Sequence, residues 1–181
     1  GRIYRVLATA DGQDKLHTFT SLADATNEQL VEQLTHPSFT WRLHAQRLLV
    51  ERDAKDVREA LLALVLDNKS DEIGLNVGAI HALHTLSGLG LLPPPAAEAH
   101  DVQAAIATAL RHRSAGVRRN AIAVLPSSDS GAMLLLNNDA LFSDNDAQVR
   151  LQAVLTLADM PQSSAAGSLV ARLALAETDP V

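Results

Sequence analysis

The sequence predicts an all-α fold: an α-solenoid of about four to five helical hairpins, preceded by a short strand or extended segment. Alanine and leucine dominate a chain that is 47% hydrophobic but only 3% aromatic, a composition typical of closely packed helices. Four segments also align at intervals of 32 to 39 residues, the length of a two-helix structural repeat.

The four aligned segments are predicted to be the second helices of successive hairpins. Each has an alanine four residues after its start and a leucine four residues later, so both side chains lie on one helix face. The alanine permits close approach of a neighbouring helix, and the leucine fills the space beyond. The segments start at Trp41-Arg42, Gly78-Ala79, Val117-Arg118 and Val149-Arg150, and their alanine and leucine pairs are Ala45 and Leu49, Ala82 and Leu86, Ala121 and Leu125, and Ala153 and Leu157.

An amphipathic segment precedes each of these helices and is predicted to be the first helix of its hairpin. Asp56, Asp101 and Ser130 are predicted to cap three of them, and "GLGLLPPP" is predicted to end the second hairpin. A fifth segment lacks a second helix. The five segments span residues 27–34, 56–66, 101–110, 130–141 and 164–174.

Residues 1–25 are predicted to lie outside the helical domain, which we place at 26–181. "GRIYRV" alternates in the manner of a short strand, and a polar linker follows over residues 11–25. No second strand is evident nearby, and a lone strand is not stable. We therefore expect this segment to be the remnant of a preceding domain.

Composition restricts the function classes. The net charge of −6 disfavours nucleic-acid and anionic-membrane partners unless the positive charges are segregated. The chain has no cysteine, which excludes thiolate catalysis and covalent haem attachment within it. No apolar run approaches the roughly 20 residues of a membrane span. The serine-rich loops lack the context of a nucleophile, so no catalytic residue and no cofactor is predicted.

The strings "VRRNAIAVL" and "VRLQAVLTL" resemble HEAT repeats, in which valine and arginine open the second helix; "WRLHAQRLL" keeps the arginine and "GAIHALHTL" lacks it. "LTHPSFTWRLHAQRLLVERDAKDVREALLALV" and "LFSDNDAQVRLQAVLTLADMP" resemble the HEAT-repeat region of planctomycete-type, haem-containing membrane-bound dehydrogenases. That resemblance implies a β-propeller before this chain, a cytochrome c domain with CxxCH after it, and a periplasmic location. It assigns no redox residue here, because the redox chemistry belongs to the flanking domains.

We expect a non-catalytic scaffold that binds protein domains, either within a larger protein or externally as a free-standing adaptor. The alternative is a ligand-binding or catalytic HEAT protein of the DNA glycosylase or lyase type. Second helices commonly line the concave side of HEAT solenoids, so their exposed residues are predicted to contact the partner. The predicted partner-binding residues are Trp41, Arg42, Arg47, Arg119 and Gln152.

Each candidate also has a structural interpretation. Trp41 could cover the joint between repeats while Arg42 pairs with an acid or a carbonyl of an adjacent turn. His81 and His84 form an i, i+3 pair, but a metal site needs three or four convergent ligands, so the alternative is a pair of partly buried imidazoles hydrogen-bonded to the backbone. In "RHRSAGVRR" only Arg119 has no structural explanation, which leaves an anion-binding patch open.

"NNDALFSDNDAQ" lacks the glycine and glutamate of a calcium loop, and its Asp144 and Asp146 are predicted to cap a helix at Ala147.

Overall fold

The computed structural model describes residues 21–92 and 99–176, and every regular element in these ranges is helical. The all-α class is thus confirmed for this part of the chain. The strand predicted within residues 1–6 and most of the predicted linker lie outside the described residues. The α-helices are α1 (Asn27–Gln33), α2 (Phe39–Glu51), α3 (Arg58–Leu66), α4 (Val77–Gly88), α5 (Ala99–Ala109), α6 (Ala115–Ala123), α7 (Asp129–Leu136), α8 (Ala147–Ala158) and α9 (Ser164–Ala176), with 3₁₀ helices at Lys55–Val57 and Asp139–Ser143.

The helices pack in two rows. Helix α2 contacts α4, α4 contacts α6, and α6 contacts α8, so the even-numbered helices form one continuous row, here called the second-helix row. Helices α1, α3 and α5 contact each other in sequence in the other row, and each packs on the helix that follows it. Contacts restricted to neighbouring elements are typical of an α-solenoid class.

The alanine and leucine pattern coincides with the core of the second-helix row. The four alanines are fully buried, and the four leucines are at most 8% exposed. The helices begin one or two residues before the predicted starts, and Leu125 lies just beyond the end of α6. Close approach also occurs at Gly88, where an added Cβ would lie 2.7 Å from a methyl carbon of Val50. Small residues therefore set the spacing between neighbouring second helices.

The predicted helix ends are partly right. Helix α4 ends as expected, because Gly90 adopts φ +68° and the Leu91 N–H donates to the Leu86 carbonyl at 3.0 Å. Asp146 caps α8, accepting the N–H groups of Gln148 and Val149 at 2.8 and 3.1 Å. Asp144 does not cap α8; its carboxylate binds Arg118 instead.

The three other predicted caps are wrong. Asp56 lies inside the 3₁₀ helix and accepts Asn27 Nδ2, while Asp101 lies within the first turn of α5. Ser128 caps α7 in place of Ser130, because Ser128 has the extended backbone that a cap requires and its Oγ accepts the Gly131 N–H.

The helix predicted over 130–141 is broken into α7 and a 3₁₀ helix. Asn138 lies at the break, where its Nδ2 donates to the Leu134 carbonyl at 2.7 Å and its Oδ1 accepts Arg111 Nε at 2.7 Å. Local side-chain bonds of this kind compete with helix continuation. Sequence periodicity alone does not reveal that competition.

Candidate functional site

The recurrent arginine at the start of three second helices closes the turn before its own helix. In each case Nη1 donates to the carbonyl oxygens six and five residues earlier, at 2.6 to 3.4 Å. These bonds join Arg42 to His36 and Pro37, Arg118 to His112 and Arg113, and Arg150 to Asp144 and Asn145. The expected pairing of Arg42 with turn carbonyls is confirmed, and this arginine is part of the scaffold.

A second recurrent feature of these turns is a side chain that accepts the backbone N–H two residues later. Sequence reasoning missed it, although the accepting residue is always His or Asp. The four bonds, of 2.9 to 3.3 Å, run from Ser38 to His36, from Lys69 to Asp67, from Ser114 to His112 and from Asp146 to Asp144. We call the row of turns at residues 34–38, 67–76, 110–114 and 144–146 the turn edge.

Hydrogen bonds also link successive turns along the turn edge. His112 Nε2 donates to the Asp67 carbonyl at 3.1 Å, and the Arg113 N–H donates to Asn68 Oδ1 at 3.2 Å. Arg118 donates through Nε and Nη2 to the two carboxylate oxygens of Asp144, both at 2.7 Å. Much of the "RHRSAGVRR" segment therefore supports the scaffold.

Asp144 is held in its charged form by this ion pair. Its burial raises its pKa, but hydrogen bonds from Arg118 and the Asp146 N–H, with the charges of Arg118 and Arg150, outweigh burial and lower the pKa below its usual range. The two side chains are only 10% and 17% exposed. The cavity of about 310 Å³ beside them is also lined by Arg111, whose Nε donates to Asn138 Oδ1.

The predicted histidine pair consists of two separate links between second helices. His81 Nδ1 donates to Gln46 Oε1 of α2 at 2.7 Å, and His84 Nε2 donates to Asn120 Oδ1 of α6 at 2.8 Å. The two rings thus bond side chains of the second helices on either side, and the expected bonds to the backbone are wrong. Among the residues that the structure describes, no cluster of three or more His, Asp or Glu side chains could hold a metal ion.

The pKa of His81 is lowered to about 4. Burial is the largest cause, followed by the positive charge of Arg42 and by the neighbouring His84. The ring is 6% exposed and is also 6.1 Å from the ring of Phe39. His81 is therefore neutral near neutral pH and contributes a hydrogen bond to the contact of α2 with α4.

The exposed side of the second-helix row forms the candidate site. On each helix it consists of two residues four positions apart, which share one face. Leu43, Leu151 and Leu155 are 43%, 51% and 53% exposed, whereas Leu83 and Ile122, at a neighbouring helix position, are completely buried. We call this the second-helix surface, which consists of Leu43, Arg47, Ile80, His84, Arg119, Ala123, Leu151 and Leu155.

The second helices carry a net positive charge. Together α2, α4, α6 and α8 contain five arginines and one carboxylate, Glu51, although the chain as a whole carries −6. Arg47 and Arg119 are the two that lie on the second-helix surface. Arg47 pairs with Glu51 at 3.6 Å in an exposed contact, and within residues 21–92 and 99–176 no carboxylate pairs with Arg119.

The structure brings two of the five predicted partner-binding residues onto this surface, Arg47 and Arg119. Arg42 closes a turn, and its guanidinium also lies 5.6 Å from the ring centre of Phe39. Gln152 is half-buried and bonds Thr156 of its own helix. Trp41 is half-buried, with its ring 6.2 Å from the rings of both His36 and His44.

Trp41 lines a separate groove of about 280 Å³ at the first hairpin. One wall consists of Trp41 with His44, Arg47 and Leu48, all from α2. The other wall consists of Ser21, Leu22 and Ala23. Arg52 holds this wall in place by donating to the carbonyl oxygens of Ala23 and Ala25 at 2.9 and 2.6 Å. The residues before α1 thus cover part of α2.

Sequence reasoning missed the aliphatic residues of the second-helix surface, because it assigned leucines to the core. The available signal was the helical position of Leu43, Leu151 and Leu155, two or six residues after the aligned starts, where Arg47 and Arg119 also fall.

Comparison with protein-family models, with curated proteins and with solved structures finds no match for this chain. In the described ranges, none of the helices has the length and hydropathy needed to cross a membrane. The function must therefore be inferred from the geometry of the chain itself.

Proposed function

We propose that this chain is a non-catalytic HEAT-repeat scaffold whose second-helix surface binds a protein domain. The observation that carries the proposal is the exposure of Arg47, Arg119 and several leucines on one side of a continuous helix row. A pre-ordered surface of this kind loses little conformational entropy on association. The packing of each second helix only on its neighbours supports the repeat assignment.

We further propose that the scaffold belongs to a multidomain dehydrogenase and spaces a propeller from a cytochrome c domain outside the cytoplasm. This part rests on the sequence resemblance alone. Sequencing the reading frame on both sides of Gly1 and Val181 tests it. A propeller upstream and CxxCH downstream would support it; a frame with neither would contradict it and would favour the free-standing adaptor.

Partner binding is tested by the double substitution Arg47→Ala and Arg119→Ala. We expect weaker binding of the partner domain with a nearly unchanged melting temperature, because both side chains are exposed and Arg47 has only an exposed pair. Arg113→Ala is the matched control, since it removes an exposed arginine from the turn edge. A large loss of stability in the double variant would show that these arginines are scaffold.

The location of the contact is tested by hydroxyl-radical footprinting of this chain alone and of the protein made from its complete reading frame. We expect protection of Leu43, Leu151 and Leu155 in the latter, because leucine side chains react only where solvent reaches them. Protection of the exposed Met133 on α7 instead, with the three leucines unchanged, would place the contact outside the second-helix row.

A further inference from the structure

We propose that the second-helix surface recognises an acidic protein segment that carries an aliphatic anchor at one end. This inference rests on the proposed function and adds the chemistry and polarity of the partner. It follows from three features of the surface: the sign of its charge, the position of its apolar residues, and the spacing of its helices.

The charge of the surface selects an acidic partner. Arg47 and Arg119 are its charged residues, and none of its eight members is acidic. The only carboxylate on the second helices, Glu51, is exposed beside Arg47, where a competing carboxylate of the partner can replace it. Since the rest of the chain is acidic, a partner of negative charge is steered to this side of the molecule.

The apolar part of the surface is concentrated on α8. Leu151, Val154 and Leu155 are 51%, 48% and 53% exposed on one helix face. Val154 occupies the helix position of Leu83 in α4 and Ile122 in α6, which are both completely buried. Helix α8 therefore adds to the surface an apolar face that its neighbours use for packing, and this face fits the aliphatic anchor.

The spacing of the helices fits an extended segment. Adjacent packed helices lie roughly 8–10 Å apart, and extended chain advances about 3.3 Å per residue, so about three residues span one helix. Arg47 on α2 and Arg119 on α6 are two helices apart, and α8 is one helix further. Two carboxylates about six residues apart, with an aliphatic residue about three residues beyond, thus match the surface.

Nucleic acid fits this surface less well than a peptide. The eight residues include no tryptophan, tyrosine or phenylalanine on which bases could stack, and Glu51 lies beside one of the two arginines. The leucines of α8 also have no role in contacting phosphates. These features favour a protein segment over a nucleic-acid strand.

The test is an NMR titration of the ¹⁵N-labelled chain with a synthetic Gly/Ser peptide. The peptide carries two glutamates roughly six residues apart and a leucine pair roughly three residues beyond. One control peptide has lysines in place of the glutamates, a second has serines in place of the leucines, and oligothymidylate is the nucleic-acid control. We expect saturable shift changes in α2, α6 and α8 with the acidic peptide, and weaker or no binding of all three controls.

Variants locate the two halves of the peptide. Arg47→Ala with Arg119→Ala should weaken binding about fivefold, and Arg113→Ala should leave it unchanged. Leu151→Ser with Leu155→Ser should abolish the shifts contributed by the leucine pair, whereas Val170→Ser, at a valine of equal exposure on α9, should not. Melting temperatures near that of the wild type establish that each variant is folded.

Equal binding of the lysine peptide, stronger binding of oligothymidylate, or shifts away from the second-helix row would overturn the acidic-segment inference. Such a result leaves the proposed docking function intact if footprinting still protects the surface in the complete protein. Where the complete reading frame encodes further domains, absence of that protection would reject docking within the protein, whichever peptide binds.

Discussion

At the scale of single residues, two aspartates five positions apart show how burial determines the contribution of an ion pair to stability. Asp144 and Arg118 form a two-bond pair with side chains only 10% and 17% exposed. Asp139 and Arg172 form a single contact at 2.9 Å with side chains 56% and 64% exposed. Solvent screens the second pair but barely reaches the first.

We predict that Asp144→Ala lowers the free energy of unfolding by about 3 kcal/mol, because Arg118 would remain largely buried without its partner. Asp139→Ala, the matched control, should cost less than about 1 kcal/mol. Urea denaturation of the two variants measures both values. Equal losses would show that the Asp144 pair contributes no more than a surface contact.

The roles of these residues were only partly predictable. Arg42 was expected to bind an acid or a carbonyl of an adjacent turn, and it binds the carbonyl oxygens of His36 and Pro37. The Asp144 carboxylate was expected to cap α8, yet it binds an arginine 26 residues earlier in the chain. A capping prediction considers only residues close in sequence, so it cannot compare the nearby helix end with a partner from the preceding hairpin.

At the scale of elements, the buried alanines of the second helices determine how closely the row packs. Ala121 and Ala153 are completely buried, whereas Ala123, on the same helix as Ala121, is exposed to solvent. A larger side chain therefore has space at only one of these positions on α6.

We predict that Ala121→Leu or Ala153→Leu overpacks the contact of α6 with α8 and costs about 1 to 3 kcal/mol. Ala123→Leu should have little effect, because its side chain would point into solvent. Thermal or urea unfolding measures the three variants. If the two buried variants unfold no earlier than the wild type, the helix alignment is wrong.

Periodicity predicted the helices well where nothing competed with it. The second helices begin within two residues of the predicted starts, because their alanines and leucines must face one core. The prediction failed at Asn138, whose side-chain bonds end α7, and at four caps. Such choices depend on backbone conformation at one residue, which a hydrophobic pattern does not encode.

At the scale of the whole molecule, His81 makes stability depend on pH. Its pKa is about 4 in the folded chain and 6.5 in the unfolded chain, so between these values the unfolded chain binds more protons. Acidification from pH 6.5 to pH 4 therefore destabilises the fold. Asp144, whose pKa is lowered on folding, adds a further loss at still lower pH.

We predict that the free energy of unfolding falls by about 3 kcal/mol between pH 7 and pH 4 through His81 alone. His81→Gln should remove most of this pH dependence, even if it lowers stability at both pH values. The variant lacks the imidazole whose pKa burial lowers. His100→Gln, at a side chain 99% exposed, is the control. An unchanged slope in the His81 variant would contradict the prediction.

The second-helix surface could be predicted only in outline. Arg47 and Arg119 were identified from the sequence, because no helix contact required them. Trp41 and Gln152 were placed on the same surface, but Trp41 lines the groove at the first hairpin and Gln152 bonds Thr156 of its own helix. The exposed leucines of α8 were not distinguishable from core leucines, because that distinction depends on which helix comes next in the row.

The hydrogen bonds that join successive turns are unevenly distributed along the turn edge. Direct hydrogen bonds and the Asp144 ion pair brace it from residue 67 to residue 144. Within the described residues, no hydrogen bond or ion pair joins the first turn, 34–38, to the second, 67–76. The first and second hairpins are joined instead by the packing of α2 on α4 and by the hydrogen bond of His81 to Gln46. A segment bound from α2 to α8 would add a further link between these two hairpins, which the turn edge does not supply.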